Sequence, residues 1–298
     1  MTLTVLCVIG WCRSGSTVLG NVLAEVPGVF HAGELRYLWQ NGVLGTGSNR
    51  RCGCGAELAA CPLWAAVLEA GRPAGRPLVE HATDVVGWQT GCRTRHTRRV
   101  LRRSPDNGWP ATLAATYRAI SARTGAEVIV DSSKYAADAA LLTHLDGIRP
   151  AFVHLVRDPR GVALSWLHPK DYTGRRGPLN STWYWLGFNR AAEAVSAARP
   201  DAAQRIRYED LSADPRGSVG RMLDLLGLPA EVNPVAADGS VELGPNHTVT
   251  GNPNRFSQGR IRLSEDRRWH AGLPRGARLA TTLLAMPQLA RYGYSRRA

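Results

Sequence analysis

The residues best suited to chemistry stand directly after apolar runs. The first run, Thr2 to Ile9, leads into Gly10-Trp11-Cys12-Arg13-Ser14-Gly15-Ser16-Thr17. Val18, Leu19, Val22, Leu23 and Val26 then recur at helical spacing. A loop of small residues at the start of a helix brings backbone N–H groups and a positive helix end to one place, which suits an anion. Its spacing matches the nucleotide-binding pattern G-x-x-x-x-G-K-S/T, but Ser16 stands where that pattern has lysine, and the cation, Arg13, lies inside the loop. The missing lysine counts against an ATP γ-phosphate site. Val128-Ile129-Val130-Asp131 has the form of the acidic strand that partners such loops. A nucleotide-dependent, kinase-like phosphotransferase therefore stands as the alternative reading. Glu34 follows the second apolar run. A carboxylate beside an anion loop repels the ligand unless it has another task, such as taking a proton from an attacking hydroxyl. An ion pair with Arg13 or Arg36 is the plainer explanation of the same residue.

Five short segments, most of them apolar, must position these groups. Thr2–Ile9, Val29–Ala32, Glu127–Val130, Ala151–Val156 and Arg205–Tyr208 read as strands, with helical patterns between them. Pro27-Gly28 stops the first helix, so the chain opens as strand, helix, strand. A right-handed crossover makes those two strands parallel. The expected fold is α/β, with a central parallel sheet flanked by helices. Helical patterns at 62–70 and 112–123, with no strand signal between, mark 62–125 as a helical insertion or cap. Residues 40–60, 168–182 and 233–265 read as loops, 182–198 as a helix, and 275–290 as the C-terminal helix. No internal repeat appears, so residues 1–298 are expected to form one domain. The polar residues that follow the strands, Arg13 to Thr17, Glu34 and Arg36, Ser132 to Lys134, Arg157, and Tyr208 with Glu209, fall on the sheet edge where ligands bind.

Composition limits the partners. The chain has 298 residues, 44% of them hydrophobic and 20% charged, with a net charge of +13. Of the 37 basic residues only Lys134 and Lys170 are lysines. Arginine forks suit phosphate and sulfate oxygens, so anionic ligands are expected. There is no helix-turn-helix, no RNA-binding signature and no long basic tract, so nucleic acid is not expected. No apolar run is long enough to span a membrane, and the N-terminal run lacks the basic flank of a secretion signal. A cytoplasmic enzyme is the default expectation. Cys52, Cys54 and Cys61 form a C-x-C-x6-C cluster. That spacing departs from the C-x2-C pairs of zinc sites, and local loop packing with free thiols is the favoured reading.

Taken together, these segments resemble the sulfotransferases that use 3′-phosphoadenosine-5′-phosphosulfate (PAPS). The loop Arg13-Ser14-Gly15-Ser16-Thr17 is similar to their 5′-phosphosulfate loop, in the arginine form of the carbohydrate and protein-tyrosine branches. Val153 to Ser165 resembles their 3′-phosphate motif, in which Arg157 and Ser165 correspond to the binding pair. Spacing alone does not pair them, since eight helical residues span about 12 Å. Arg207-Tyr208-Glu209-Asp210-Leu211 resembles a segment whose tyrosine lies near the nucleotide. Asn252 to Arg260 resembles a late basic loop that closes over it. Trp269 to Tyr294 is similar to the family's C-terminal helix and end, and Cys52 to Trp64 to a segment of bacterial members. Residues 66–125 have no match.

The resemblance implies PAPS as sulfuryl donor, PAP as product, and no metal. It also implies in-line transfer to a hydroxyl of a small-molecule or carbohydrate acceptor. In the protein-tyrosine branch a glutamate 21 positions after the loop arginine is the base, which corresponds to Glu34. A catalytic lysine after the middle strand corresponds to Lys134. Arg13 and Lys134 then stabilise the departing oxygen. Ser14, Gly15, Ser16 and Thr17 cradle the 5′-phosphosulfate, and Arg157, Ser165 and Arg255 hold the 3′-phosphate. Tyr208, Gly259 and Arg260 complete the nucleotide site. His31 and His96 are outside candidates for a histidine base. Trp39, Trp88, Trp183, Tyr184 and Trp185 are candidate acceptor walls, and the basic segment Arg93 to Arg103 reads as a solvated face.

Overall fold

In a computed structural model of the chain, residues 2–168 and 174–295 are described. Five strands build one sheet: β1 (Leu3–Ile9), β2 (Val29–Gly33), β3 (Val128–Lys134), β4 (Ile148–Val156) and β5 (Ala203–Arg207). The order is β2-β3-β1-β4-β5, with every pairing parallel. Each of these strands falls on one of the five expected segments. β1 is central and almost wholly buried. Its side chains alternate: Val5, Cys7 and Ile9 enter one core layer, Leu6 and Val8 the other.

The helices are α1 (Ser16–Ala24), α2 (Leu38–Gly42), α3 (Pro62–Gly71), α4 (Leu78–Gln89), α5 (Thr97–Arg102), α6 (Trp109–Thr124), α7 (Ala136–Leu141) and α8 (Pro159–Leu167). They continue as α9 (Pro178–Ala198), α10 (Tyr208–Ala213), α11 (Pro215–Leu226), α12 (Trp269–Gly272) and α13 (Arg275–Arg291). α1 and α11 cover one sheet face through Leu19, Val22, Leu23, Val219, Met222 and Leu223. Each such buried side chain contributes about 1.5–3 kcal/mol. Helices α3 to α6 cover the other face. Trp64, Val67, Val85, Trp109, Tyr117 and Ile120 share one hydrophobic cluster with Val5 and Ile129. The 62–125 stretch is helical, as its patterns imply, and it packs directly under the sheet.

Three details depart from the sequence reading. Within 233–265 the chain forms an antiparallel pair, β6 (Ser240–Leu243) with β7 (Gly259–Arg262). Each is too short to carry an alternation signal. Tyr208 opens α10 where a strand end was expected. α9 begins at Pro178, inside the loop expected at 168–182, because proline fits the first helical turn. Residues 169–173 of that loop lie outside the described residues. Among the described residues no helix is long and apolar enough to cross a membrane.

Candidate active site

The C-terminal ends of the strands open into a cleft of about 750 Å³. Its first wall is the turn after β1. Gly10, Arg13 and Gly15 all have positive φ, at 138°, 70° and 92°. A Cβ on Gly10 would stand 2.4 Å from the Leu155 carbonyl oxygen, and one on Gly15 2.9 Å from the Tyr208 ring. Only glycine fits either place. Arg13, Gly15, Ser16 and Thr17 line the cleft, and α1 starts there with its N-terminal end. The Ser14 side chain turns inward and donates to the Trp11 carbonyl at 2.8 Å. Arg13 stacks on Trp166, 4.8 Å from the ring centroid.

The second wall joins Glu34, after β2, to Lys134, at the end of β3. The strands slip register where these residues leave the sheet, between His31 and Gly33 and between Cys7 and Ile9. Lys134 also has positive φ, at 72°. Such conformations in non-glycine residues cost free energy and cluster at functional sites. Lys134 Nζ donates to Glu34 Oε1 at 2.6 Å and to the Ser132 carbonyl at 2.9 Å. Burial alone would push the lysine pKa down; the charge of Glu34 overrides it and holds the pKa above the ordinary value. Both side chains face the cleft. Behind them, the Glu34 amide donates to the Val249 carbonyl at 2.8 Å.

The third wall is Arg157, at the end of β4. Asp158 caps α8 by accepting from the Arg160 amide, with Pro159 in the first turn. Arg157 Nη1 donates to the Arg13 carbonyl at 2.9 Å, which ties the two strand ends together. Its Nη2 meets Asp266 at 3.1 Å, and its guanidinium stacks on Tyr208 at 4.5 Å. Bonds from Arg268, then the charge and bond of Arg157, hold the Asp266 carboxyl well below the usual carboxylate range. Ser165, two turns along α8, lines the same cleft, and so do Tyr208, Asp266 and Arg268.

The remaining wall is aromatic. Tyr37, Tyr135, Phe188, Trp11, Tyr184 and Trp166 all line the cleft. Successive ring centroids run 6.4 Å from Tyr37 to Tyr135, 5.8 Å to Phe188 and 4.6 Å to Trp11. Trp11 then stacks on Tyr184 at 5.2 Å and on Trp166 at 5.8 Å. Arg176 lies over Tyr184 at 4.5 Å. Among the described residues the lining carries the cations Arg13, Lys134, Arg157, Arg176 and Arg268 against the carboxylates Glu34 and Asp266.

Several expected residues lie elsewhere. Arg255 is buried and spends its guanidinium on Gly251 and Arg51 carbonyls and on Asn49 Oδ1, so it braces a loop and does not line the cleft. Arg260 reaches Asp238 and Ser240 on the β6–β7 pair, and Gly259 starts β7; neither lines the cleft. Of the expected acceptor walls only Tyr184 faces it. Trp39 and Trp185 are core residues, Trp88 packs against the core, and Trp183 is exposed. His31 is buried between Asn21 and Ser132, and burial pushes its pKa to about 3, so it stays neutral and out of reach. His96 sits among arginines outside the cleft. Asp131 is buried, accepting from Tyr117 and Ser133, so β3 offers the cleft no metal-binding carboxylate of the kinase type. Sequence reasoning missed Asp266 and Arg268 beside Arg157, and Trp11, Tyr37, Tyr135, Trp166, Arg176 and Phe188 in the aromatic wall. Trp11 sits inside the motif itself and was the one available signal.

A donor with a 3′-phosphate and a 5′-phosphosulfate fits these residues: the Gly15 cradle admits no Cβ, and Arg157 already holds a carboxylate. No curated protein matches the chain. Among solved structures, the sulfotransferase domain of the Synechococcus PCC 7002 olefin synthase matches with a TM-score of 0.57 at 22% identity, covering 98% of this chain and 95% of that one. The sulfotransferase domain from the curacin biosynthetic pathway matches with a TM-score of 0.53 at 16% identity, covering 99% of both chains. At such identities these likenesses speak for the fold. The family model described as "Sulfotransferase family" matches residues 6–232, which is most of the chain. The protein therefore belongs to the sulfotransferase family and is a PAPS-dependent enzyme that transfers a sulfuryl group.

Proposed function

We propose that the chain is a sulfotransferase of the arginine-loop type found in the carbohydrate and protein-tyrosine branches. Its acceptor would be a hydroxyl on a ring-bearing small molecule or carbohydrate. PAPS, when bound, supplies the sulfuryl group and takes the leaving charge as PAP. Residues 10–17 act as the phosphate loop: their amides, the start of α1 and the Ser16 and Thr17 hydroxyls hold the 5′ anion. Arg157 and Ser165 hold the 3′-phosphate, with Tyr208 beside them, and Arg268 is the cation best placed to assist in the role expected of Arg255.

Glu34 accepts the acceptor's proton as its oxygen attacks in line. Lys134 keeps that carboxylate oriented and, with Arg13, presents positive charge to the oxygen that departs. Charge placed in advance at a developing anion stabilises the transition state without reorganisation, and one such donor typically accounts for a factor on the order of 10²–10³ in rate. The aromatic band from Tyr37 to Trp166 offers flat faces to an acceptor ring. Residues 1–298 act as one domain in this proposal, with 62–125 an inserted wall.

The observation that carries the proposal is the 2.6 Å Glu34–Lys134 contact inside the cleft that Arg13 and Arg157 also line. The test is transfer of labelled sulfate from PAPS to a panel of phenols and sugars. Glu34→Gln should lower kcat on the order of 10²–10⁴-fold, the usual range for a general base, with PAP affinity kept. Equal loss of turnover and PAP binding, or unchanged turnover, would remove Glu34 from the role of base.

A further inference from the structure

On the far side of the Val249 segment from the cleft, three cysteines and a histidine converge. Cys52, Cys54 and Cys61 come from the loop before α3, and His247 from a segment 186 residues beyond Cys61. Their ligand atoms all lie within 4.8 Å of one another. His247 Nδ1 is 3.3 Å from Cys61 Sγ and 3.6 Å from Cys52 Sγ, and the Cys54 and Cys61 sulfurs are 4.0 Å apart. A tetrahedral zinc with Zn–S near 2.3 Å and Zn–N near 2.0–2.1 Å requires S···S edges of about 3.8 Å and S···N edges of about 3.6 Å. A disulfide needs about 2.05 Å, and all six cysteines are unpaired.

The surroundings are built to hold this cluster. Gly55 turns the loop at φ 91°. A Cβ on Gly53 would collide with Asn246 Oδ1 at 1.9 Å. The Gly53 amide donates to the Thr248 carbonyl at 3.0 Å, and Trp64 Nε1 to the His247 carbonyl at 2.7 Å. Cys52 and Cys61 are buried while Cys54 is exposed, which leaves an entry path.

We propose that Cys52, Cys54, Cys61 and His247 bind one structural zinc ion in a closed Cys3His site. Three thiols release their protons to solvent on binding, and four protein ligands leave no open position for chemistry. The ion clamps the 52–61 loop to Thr248–Gly251. That segment accepts the Glu34 amide at Val249 and lies against the Glu34 side chain at Gly251. None of the four ligands lines the cleft, so the site is separate from it. It revises the free-thiol reading of the cysteine cluster, which rested on spacing without His247.

The test uses the full chain, purified without chelator or metal-affinity resin. Elemental analysis should find one zinc per chain. Cobalt(II) in its place should give the intense visible bands of a tetrahedral ion and a thiolate-to-metal charge-transfer band. Cys54→Ser, at an exposed ligand, should lose the metal and lower the Tm, while Cys7→Ala keeps the metal. Zinc at background with no tetrahedral cobalt spectrum would overturn the proposal. So would full zinc retention in both Cys54→Ser and His247→Ala.

Discussion

At the scale of single residues, the site is a balance between cations and the carboxylates that occupy them before any ligand arrives. Lys134 is buried, and the charge of Glu34, 2.6 Å away, holds its pKa above the ordinary value against that burial. Breaking such a buried pair by removing one partner costs more than the pair gains, so Lys134→Met should disturb Glu34 as well. Arg157 is held by Asp266, a carboxylate in the place proposed for a phosphate. Asp266→Asn should tighten PAP binding about 2- to 5-fold, the equivalent of releasing a partly exposed pair worth up to about 1 kcal/mol. Calorimetric titration of the variant checks this. A weaker binding constant would mean that Asp266 orders Arg157 for the nucleotide instead of competing with it.

At the scale of elements, the sheet was legible because buried strands write themselves as apolar runs. Four of the five strands show this; β5, where Ile206 alone is buried, does not, yet the groups at the strand ends meet at one edge. Arg13, Glu34, Lys134, Arg157 and Ser165 share a cleft although they are spread over more than 150 positions, because parallel strands put every C-terminal end on one side. What escaped the sequence depended on contacts between distant segments. Arg255 has the residue type of a phosphate ligand, but its guanidinium is consumed by Asn49, Arg51 and Gly251. His247 carries no local signal and gains meaning only against Cys52 and Cys61. The aromatic band draws on α8, α9 and three loops, and no period along the chain links them. β6 and β7 pair over four residues each, too few for alternation to register.

At the scale of the molecule, the net charge is +13, of which the described cleft lining carries five cations against two carboxylates, and the polar interior sets the limits of stability. His31 and His154 are buried neutral, with pKa values lowered by burial to about 3 and about 4. In the unfolded chain a histidine titrates near 6.5. Below that pH the unfolded state binds protons that the folded state refuses, so stability is full above about pH 6.5 and falls as the pH drops. The loss approaches about 1.4 kcal/mol per histidine per pH unit between about pH 6 and pH 4. Denaturant titrations at several pH values should show a shallower decline in His154→Gln than in the parent. Identical slopes would show that His154 is protonated in the folded state.

In the proposed mechanism Arg157 reads a 3′-phosphate beside a loop that holds the 5′ anion. Calorimetric titration of PAP against ADP, each with and without Mg²⁺, tests it most directly. PAP should bind tightly without metal, ADP far more weakly, and Arg157→Ala should abolish the preference. Equal binding of ADP, or a PAP affinity that Arg157→Ala leaves unchanged, would contradict it.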